Sequence, residues 1–260
     1  MDQLEHKERI QARFGASAQG YVDSVTHASG DDLGQIVAWA EGGPDRTALD
    51  VATGGGHTAL ALAPLFGSVV ASDLTEAMLR SAEAFCQRRG VSNVTFRQAD
   101  AEALPFGDRE FDVVTCRIAP HHFPRVERFV AQVARVLKPG GTFILEDSIA
   151  PEDPALAQFL NAGEVARDPT HVRSLRLSEW RQLVRANGLT IEAERIFSKA
   201  HPFDDWLDLA KVPSDARPAI IRLFRDASPA AREAFVIEID PDGRVTSYTD
   251  EKIVMKARRE

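Results

Sequence analysis

Three aspartates, Asp50, Asp73 and Asp100, each sit at or just past the end of a strand-like segment. Carboxylates so placed accept hydrogen bonds from hydroxyl and amino groups and attract a cation. Between the first two runs the turn Thr53-Gly-Gly-Gly-His57. There Gly54 and Gly56 let the backbone approach a ligand with no Cβ in the way, and the following helix starts with free N–H groups. Asp73 lies nineteen residues beyond Gly54, the place of a ribose-gripping carboxylate in a βαβ nucleotide fold. Gly54-x-Gly56-x-x-Ala59 also satisfies the dinucleotide fingerprint in its Gly/Ala form. On these residues alone a nicotinamide enzyme stands beside other nucleotide binders.

His121 and His122 follow a later strand segment. Imidazole titrates near neutrality, so either is a candidate general base for an acidic O–H or N–H, with His122 preferred. As packing residues they would instead form a turn before a helix. Glu146 and Asp147 end another strand, and alternation should turn one toward the site and the other away. Cys86 and Cys116 fall in a helix and a strand pattern without CxxC or CxH spacing, so neither a disulfide framework nor a metal site is expected. Cys116 reads as a small buried residue. His171 and Arg173 lie in an irregular segment, at the rim of the site or in a solvated loop.

These residues need a frame, and the hydrophobic pattern supplies one. Strand and helix signals alternate as strand 47–52, helix 57–65, strand 68–73, helix 75–89, strand 93–98, strand 111–116, helix 124–137 and strand 141–147. The second of these helices has Thr75 as its cap and stops at Gly90. Alternation of this kind requires a mostly parallel sheet with helices on both faces. Ligands of such sheets bind beyond the carboxyl ends of the strands, where Asp50, Asp73, Asp100 and Arg117 converge. Residues 1–45 read as two amphipathic helices. Beyond 150 the pattern loosens to a helix 178–188, a strand 189–197, short helices broken by prolines over 202–233, a hairpin with Asp-Gly in its turn, and a closing strand 252–257.

Composition narrows the class. At 260 residues the chain suits one large α/β domain with additions. A net charge of -8 without a basic run disfavours a nucleic-acid partner. No apolar run reaches the length of a membrane span and no apolar leader opens the chain, so a cytoplasmic enzyme is expected.

Six blocks in register carry a family likeness: Leu49-Asp-Val-Ala-Thr-Gly-Gly-Gly56, Ala71-Ser-Asp-Leu-Thr-Glu-Ala-Met78, Gln98-Ala-Asp-Ala-Glu-Ala-Leu-Pro-Phe106, Phe111-Asp-Val-Val-Thr-Cys-Arg117, His121-His-Phe-Pro124 and Arg135-Val-Leu-Lys-Pro-Gly-Gly141. Together they resemble the class I S-adenosylmethionine (SAM) methyltransferases, in the branch that includes the ubiquinone and menaquinone biosynthesis methyltransferases. The resemblance implies an α/β, Rossmann-like doubly wound sheet of about seven strands, the last antiparallel. It implies SAM as cofactor, S-adenosylhomocysteine as product and a small organic acceptor methylated on O, N or C. Ala52, Thr53 and Gly54 would lie under the methionine part, and Asp50 would face its ammonium. Asp73 would accept the ribose hydroxyls, with Leu74 and Met78 against adenine. Asp100 and the backbone of Ala101 would hold the adenine edge, and Arg117 would flank the sulfonium. Phe14 and Tyr21 belong to a segment that resembles the family's lid.

Family members usually carry Gly where this chain has Ala52, and Cys is common where it has Thr53. A dehydrogenase has no use for Asp100 after the third strand, which weakens the nicotinamide reading. A SAM binder of the same fold that does not methylate remains an alternative. The expected organisation is a lid over 1–45, a cofactor-binding core over 46–200, an insert over 201–250 that covers the acceptor, and a final core strand over 251–260. The insert's apolar residues would equally suit a homodimer interface.

Overall fold

The computed structural model describes residues 3–22 and 30–260. Among the described residues three helices precede the sheet: α1 (Gln3–Gly15), α2 (Ala18–Val22) and α3 (Asp31–Trp39). The sequence marked two helices here, and the short α2 is a separate third. The expected alternation then follows, as β1 (Gly43–Val51), α4 (His57–Leu62), β2 (Phe66–Asp73), α5 (Glu76–Arg88), β3 (Val94–Gln98), β4 (Phe111–Arg117), α6 (Val126–Val136) and β5 (Leu137–Ala150). The remaining elements are α7 (Pro154–Arg167), β6 (Leu175–Arg176), α8 (Leu177–Ala186), β7 (Leu189–Pro202), α9 (Phe203–Leu209), α10 (Arg217–Arg225), α11 (Pro229–Ala234), β8 (Glu238–Ile239) and β9 (Val245–Arg259).

The strands form one sheet in the order β3-β2-β1-β4-β5-β9-β7, with β6 and β8 as short additions. The β1–β2, β1–β4, β2–β3 and β4–β5 ladders are parallel, whereas β9 runs antiparallel to both β5 and β7. The chain therefore builds a doubly wound sheet whose order reverses beside β1, and the crevice between the ends of β1 and β4 is its switch point. One face is covered by Phe129, Val133, Trp180 and Val184 of α6 and α8. The other is covered by Ile36 and Leu62 of α3 and α4. Burial on both sides explains why the strands read as continuous apolar runs.

Three departures from the sequence reading enlarge the site. β5 and β7 run on to Ala150 and Pro202, past the expected ends at 147 and 197. The hairpin's second arm and the closing strand are one element, the fifteen-residue β9, because each of its residues from Ser247 to Arg259 finds a partner on β5, β7 or β8. The third is α7, a helix not expected at all. Asp153 caps it by accepting from the N–H groups of Ala155 and Leu156, and Pro154 fits its first position. The extended strands carry a second core against α7, α9 and α10, where the rings of Phe203, Trp206 and Tyr248 pack about Phe224 at 5.0–5.4 Å. Among the described residues, no helix is long and apolar enough to cross a membrane.

Candidate active site

A cavity of about 710 Å³ opens at the carboxyl ends of the strands. It collects Phe14, Tyr21, Asp50, Ala52, Thr53 and Gly54 from the sequence reading. It also collects Asp73, Leu74, Met78, Asp100, Ala101 and Arg117, together with both histidines, His121 and His122. Gly56 stands apart. It is off the cavity wall, with φ of 83° and a virtual Cβ 2.9 Å from Ala82 Cβ, so its part is to seat α4 on α5.

The turn after β1 is held by side chains of β1, β2 and β4 and by its own Thr53. Asp50 is buried and accepts from the hydroxyls of Thr53 (2.6 Å) and Thr115 (2.7 Å). Burial raises its pKa to about 6, against the pull of those two donors. Asp73 accepts from the backbone N–H of Gly54 at 3.0 Å and of Thr75 at 2.8 Å, which fixes both carboxylate oxygens. Its pKa also rises through burial, with the Thr75 and Gly54 N–H groups opposing. Ala52 has φ of 54°, the left-handed region that glycine enters freely. Gly54 shares that region, and a Cβ there would stand in open space on the cavity wall. Gly55, unmarked in the sequence reading, is closest to α2: a Cβ would lie 2.9 Å from the backbone carbonyl of Tyr21. His57 donates to that same carbonyl at 3.0 Å and pins α2 over the turn.

Asp100 accepts from the N–H of Glu102 (2.9 Å) and from Lys7 Nζ (2.6 Å), which also reaches Glu102 at 2.6 Å. This clamp from α1 was not foreseen. Nothing in an amphipathic helix pattern distinguishes Lys7 from its solvated neighbours. Arg117 is buried and donates to Asp32 at 2.6 Å, so its charge is answered beside the switch point. Phe14 packs edge-on against Tyr21 (5.6 Å between centroids) and His122 (5.1 Å).

The two histidines separate by environment. Asp147 lies off the cavity wall and holds His121 Nδ1 at 2.5 Å, while Glu146 faces the cavity, as alternation expects. Burial works against a charged His121, yet Asp147 outweighs it and raises the pKa. His122 donates from Nδ1 to the Thr170 carbonyl at 2.9 Å, and burial with His121 nearby drives its pKa well below the usual value. That environment makes His122 the weaker base and reverses the sequence-based preference between them. His171 is buried, stacks on His121 at 5.3 Å and donates to Asn161 Oδ1; burial and His121 lower its pKa to about 4. Arg173 turns outward to Glu179 at 2.9 Å and takes no part in the cavity. Cys116 is wholly buried with its thiol pKa pushed up by burial, as suits a packing residue.

The cavity wall also holds Glu164, Arg167, Lys199 and Lys252, none of them marked beforehand. For the first two the missed signal is the Asp153-Pro154 start of α7. For Lys199 it is the alternation Phe197, Lys199, His201, which continues the strand past its expected end.

A family model described as a methyltransferase domain matches residues 49–145. An uncharacterized methyltransferase, YcgJ of Bacillus subtilis (strain 168), is 40% identical over 243 residues, covering 94% of this chain and 96% of that protein. The chain belongs to the class I SAM-dependent methyltransferases. The crystal structure of YcgJ superposes on this methyltransferase with a TM-score of 0.86 at 39% identity, covering 88% of this chain and 98% of that one. That of a putative methyltransferase from Bacillus halodurans C-125 gives 0.86 at 40% identity, covering 88% and 99%. The C-methyltransferase UbiE of ubiquinone/menaquinone biosynthesis, from Ectopseudomonas mendocina (strain ymp), is 37% identical over 119 residues, covering 44% of this chain and 46% of that protein.

The cofactor of this methyltransferase is SAM, and the cavity suits it. A molecule with a sulfonium and an ammonium meets an end walled by Asp50, Asp73 and Asp100. Backbone and open space at Ala52 to Gly54 leave room for it, and Leu74 and Met78 offer an apolar slot for a base.

Proposed function

We propose that this methyltransferase transfers the SAM methyl group to an ionisable O–H or N–H of a small organic acceptor, with His121 as the general base. The supporting observation is the short His121 Nδ1–Asp147 Oδ1 contact of 2.5 Å on the cavity wall. Asp147 fixes the tautomer with the proton on Nδ1, so Nε2 is the basic nitrogen. Among the described residues His121 makes no hydrogen bond through Nε2. The raised pKa strengthens the base toward weakly acidic protons.

Bound SAM supplies an already electrophilic methyl group. The protein's work is therefore to hold, align and dry the reactants. Asp73 would take the ribose hydroxyls, Asp100 and the Ala101 backbone the adenine edge, and Asp50 the ammonium. The Ala52–Thr53–Gly54 backbone would support the methionine chain, with the Arg117 strand end beside the sulfonium. Residues 1–45, of which 1, 2 and 23–29 lie outside the described residues, would serve as the lid, with Phe14 and Tyr21. Residues 201–250 would cover the acceptor, consistent with Trp206, Leu209 and Ala210 lining the cavity.

The test is turnover of methyl-labelled SAM against a panel of phenols, hydroxy acids and amines, followed by S-adenosylhomocysteine formation. Tight SAM binding with no product across the panel would favour a non-methylating binder of this fold. Product formed equally well by His121→Asn would remove His121 as base.

A further inference from the structure

Beyond the core, β5, β9 and β7 turn one face toward the acceptor end of the cavity. In their register Ser148 and Phe197 both stand opposite Lys252, and Lys199 stands opposite Asp250, so these residues share that face. Almost every charge there is answered by a neighbour. Lys252 Nζ donates to Asp250 (2.7 Å) and to the Ser148 hydroxyl (2.5 Å), and His201 also bonds Asp250 at 2.9 Å. Arg117 meets Asp32, Arg167 meets Glu164 at 3.1 Å, Arg13 meets Asp168 at 3.1 Å, and His121 meets Asp147.

Apart from the exposed Asp31 and Asp205 of the helices, two groups on the strand face are left over. Lys199 lines the cavity yet makes no hydrogen bond or ion pair with the described residues. Glu146 is 2% exposed, lines the same cavity, and its Oε2 has no hydrogen-bond partner. Burial, reinforced by Asp32, lifts the Glu146 pKa to about 8, so near neutrality it is mainly the uncharged acid with a proton to donate. Burial followed by Lys252 lowers the Lys199 pKa, against the pull of Asp250, Glu146 and Asp32. The strand face thus holds one ammonium with no acid bonded to it and one buried donor without an acceptor. Native proteins seldom leave buried polar groups so. A carboxylate answers both, since its two oxygens share one negative charge and accept separately.

We propose that the acceptor is an apolar monocarboxylate whose carboxylate is anchored by Lys199 and Glu146. The rest of the molecule would lie against Phe197, Pro202, Trp206 and Leu209, which line the same end. A single free lysine matches a single negative charge. A phosphate monoester carries about −1.5 to −2 and would set its second charge against Asp250 and Asp32. This deepens the reading of the cavity as a methyl-transfer site and depends on it for the acceptor's presence there.

The experiment uses the full chain saturated with S-adenosylhomocysteine, titrated calorimetrically with benzoate, cinnamate and octanoate, with the amide of each, and with phenyl phosphate. At least one carboxylate should bind tenfold or more tightly than both its amide and phenyl phosphate. Lys199→Met should erase that preference, Lys199→Arg should restore part of it, and S-adenosylhomocysteine affinity should stay within twofold in both. No preference for an acid over its amide, including no binding by any of them, overturns the proposal. So does a preference that survives Lys199→Met, or one led by phenyl phosphate. The two readings fail separately: absent S-adenosylhomocysteine binding undoes the cofactor end, whereas a loaded protein indifferent to carboxylates undoes the anchor alone.

Discussion

At the cofactor end of the cavity each aspartate has a partner close in sequence: Thr53 on Asp50, the Thr75 N–H on Asp73, and the Glu102 N–H on Asp100 are separated by two or three residues, with Thr115 and Lys7 added from farther off. At the acceptor end the partners are remote. His121 and Asp147 are 26 residues apart, His122 and Thr170 48, Tyr248 and Glu164 84, and Lys252 and Ser148 104. One half is built mainly from local turns on a rigid sheet, and the other exists only once distant elements have met. A cofactor end built from turns can stay constant while the acceptor end is rebuilt around it. Their charges differ too: at the first end Asp50 and Asp73 are held by hydroxyl and backbone N–H donors and Asp100 is paired with Lys7, whereas at the second Lys199 has no paired acid among the described residues.

The sharpest break in that comparison comes from the base. His121→Asn should lower kcat about 10²–10⁴-fold. SAM affinity, measured by calorimetry, should stay the same, because the change lies wholly in the acceptor half. In the wild type the neutral imidazole is the active form, so kcat/KM should climb as pH rises through a His121 pKa above 6.5. Asp147→Asn removes the group that raises it, and the limb should move to lower pH.

The converse change belongs to the other half. Asp73→Ala should weaken SAM by about 2–4 kcal/mol through two lost charge-assisted hydrogen bonds. Acceptor binding measured on the protein with no cofactor should be unaffected, and an unchanged SAM dissociation constant would place the ribose elsewhere.

A smaller effect follows from Asp50. A bound cation favours its ionised form, so SAM binding should release a proton near pH 6, where burial has set the Asp50 pKa. Affinity should fall about tenfold between pH 7 and pH 5. Calorimetry in buffers of different ionisation enthalpy would count the proton, and a pH-independent affinity would remove Asp50 from the ammonium. Smallest of all, Ala52→Gly relieves a left-handed φ of 54° at the cost of a looser unfolded chain. Its melting temperature should rise only slightly, by well under the equivalent of about 1 kcal/mol.

The same contrast explains what could be read beforehand. An acid, a glycine turn and a helix start leave their imprint within a few residues, and so the cofactor end and the parallel sheet were legible. Lys199 and Glu146 acquire meaning only through the β5–β9–β7 register, which no local pattern encodes. His122 outranked His121 on paper because the difference between them is Asp147 on one side and the Thr170 carbonyl on the other. α7 is another matter. Its cap and proline were in plain view at 153–154, and the weak amphipathic pattern of Pro-Ala-Leu-Ala-Gln-Phe obscured them.

β9 is synthesised after both of the strands it separates. While a ribosome is still making it, β5 and β7 have nothing between them, and each presents an open edge of unpaired backbone groups. The nascent protein can settle its cofactor end early, since β1 to β4 need nothing from β9. The acceptor end must wait for a late strand to thread into a gap. Errors of assembly, and any reliance on chaperones, should therefore concentrate at that gap.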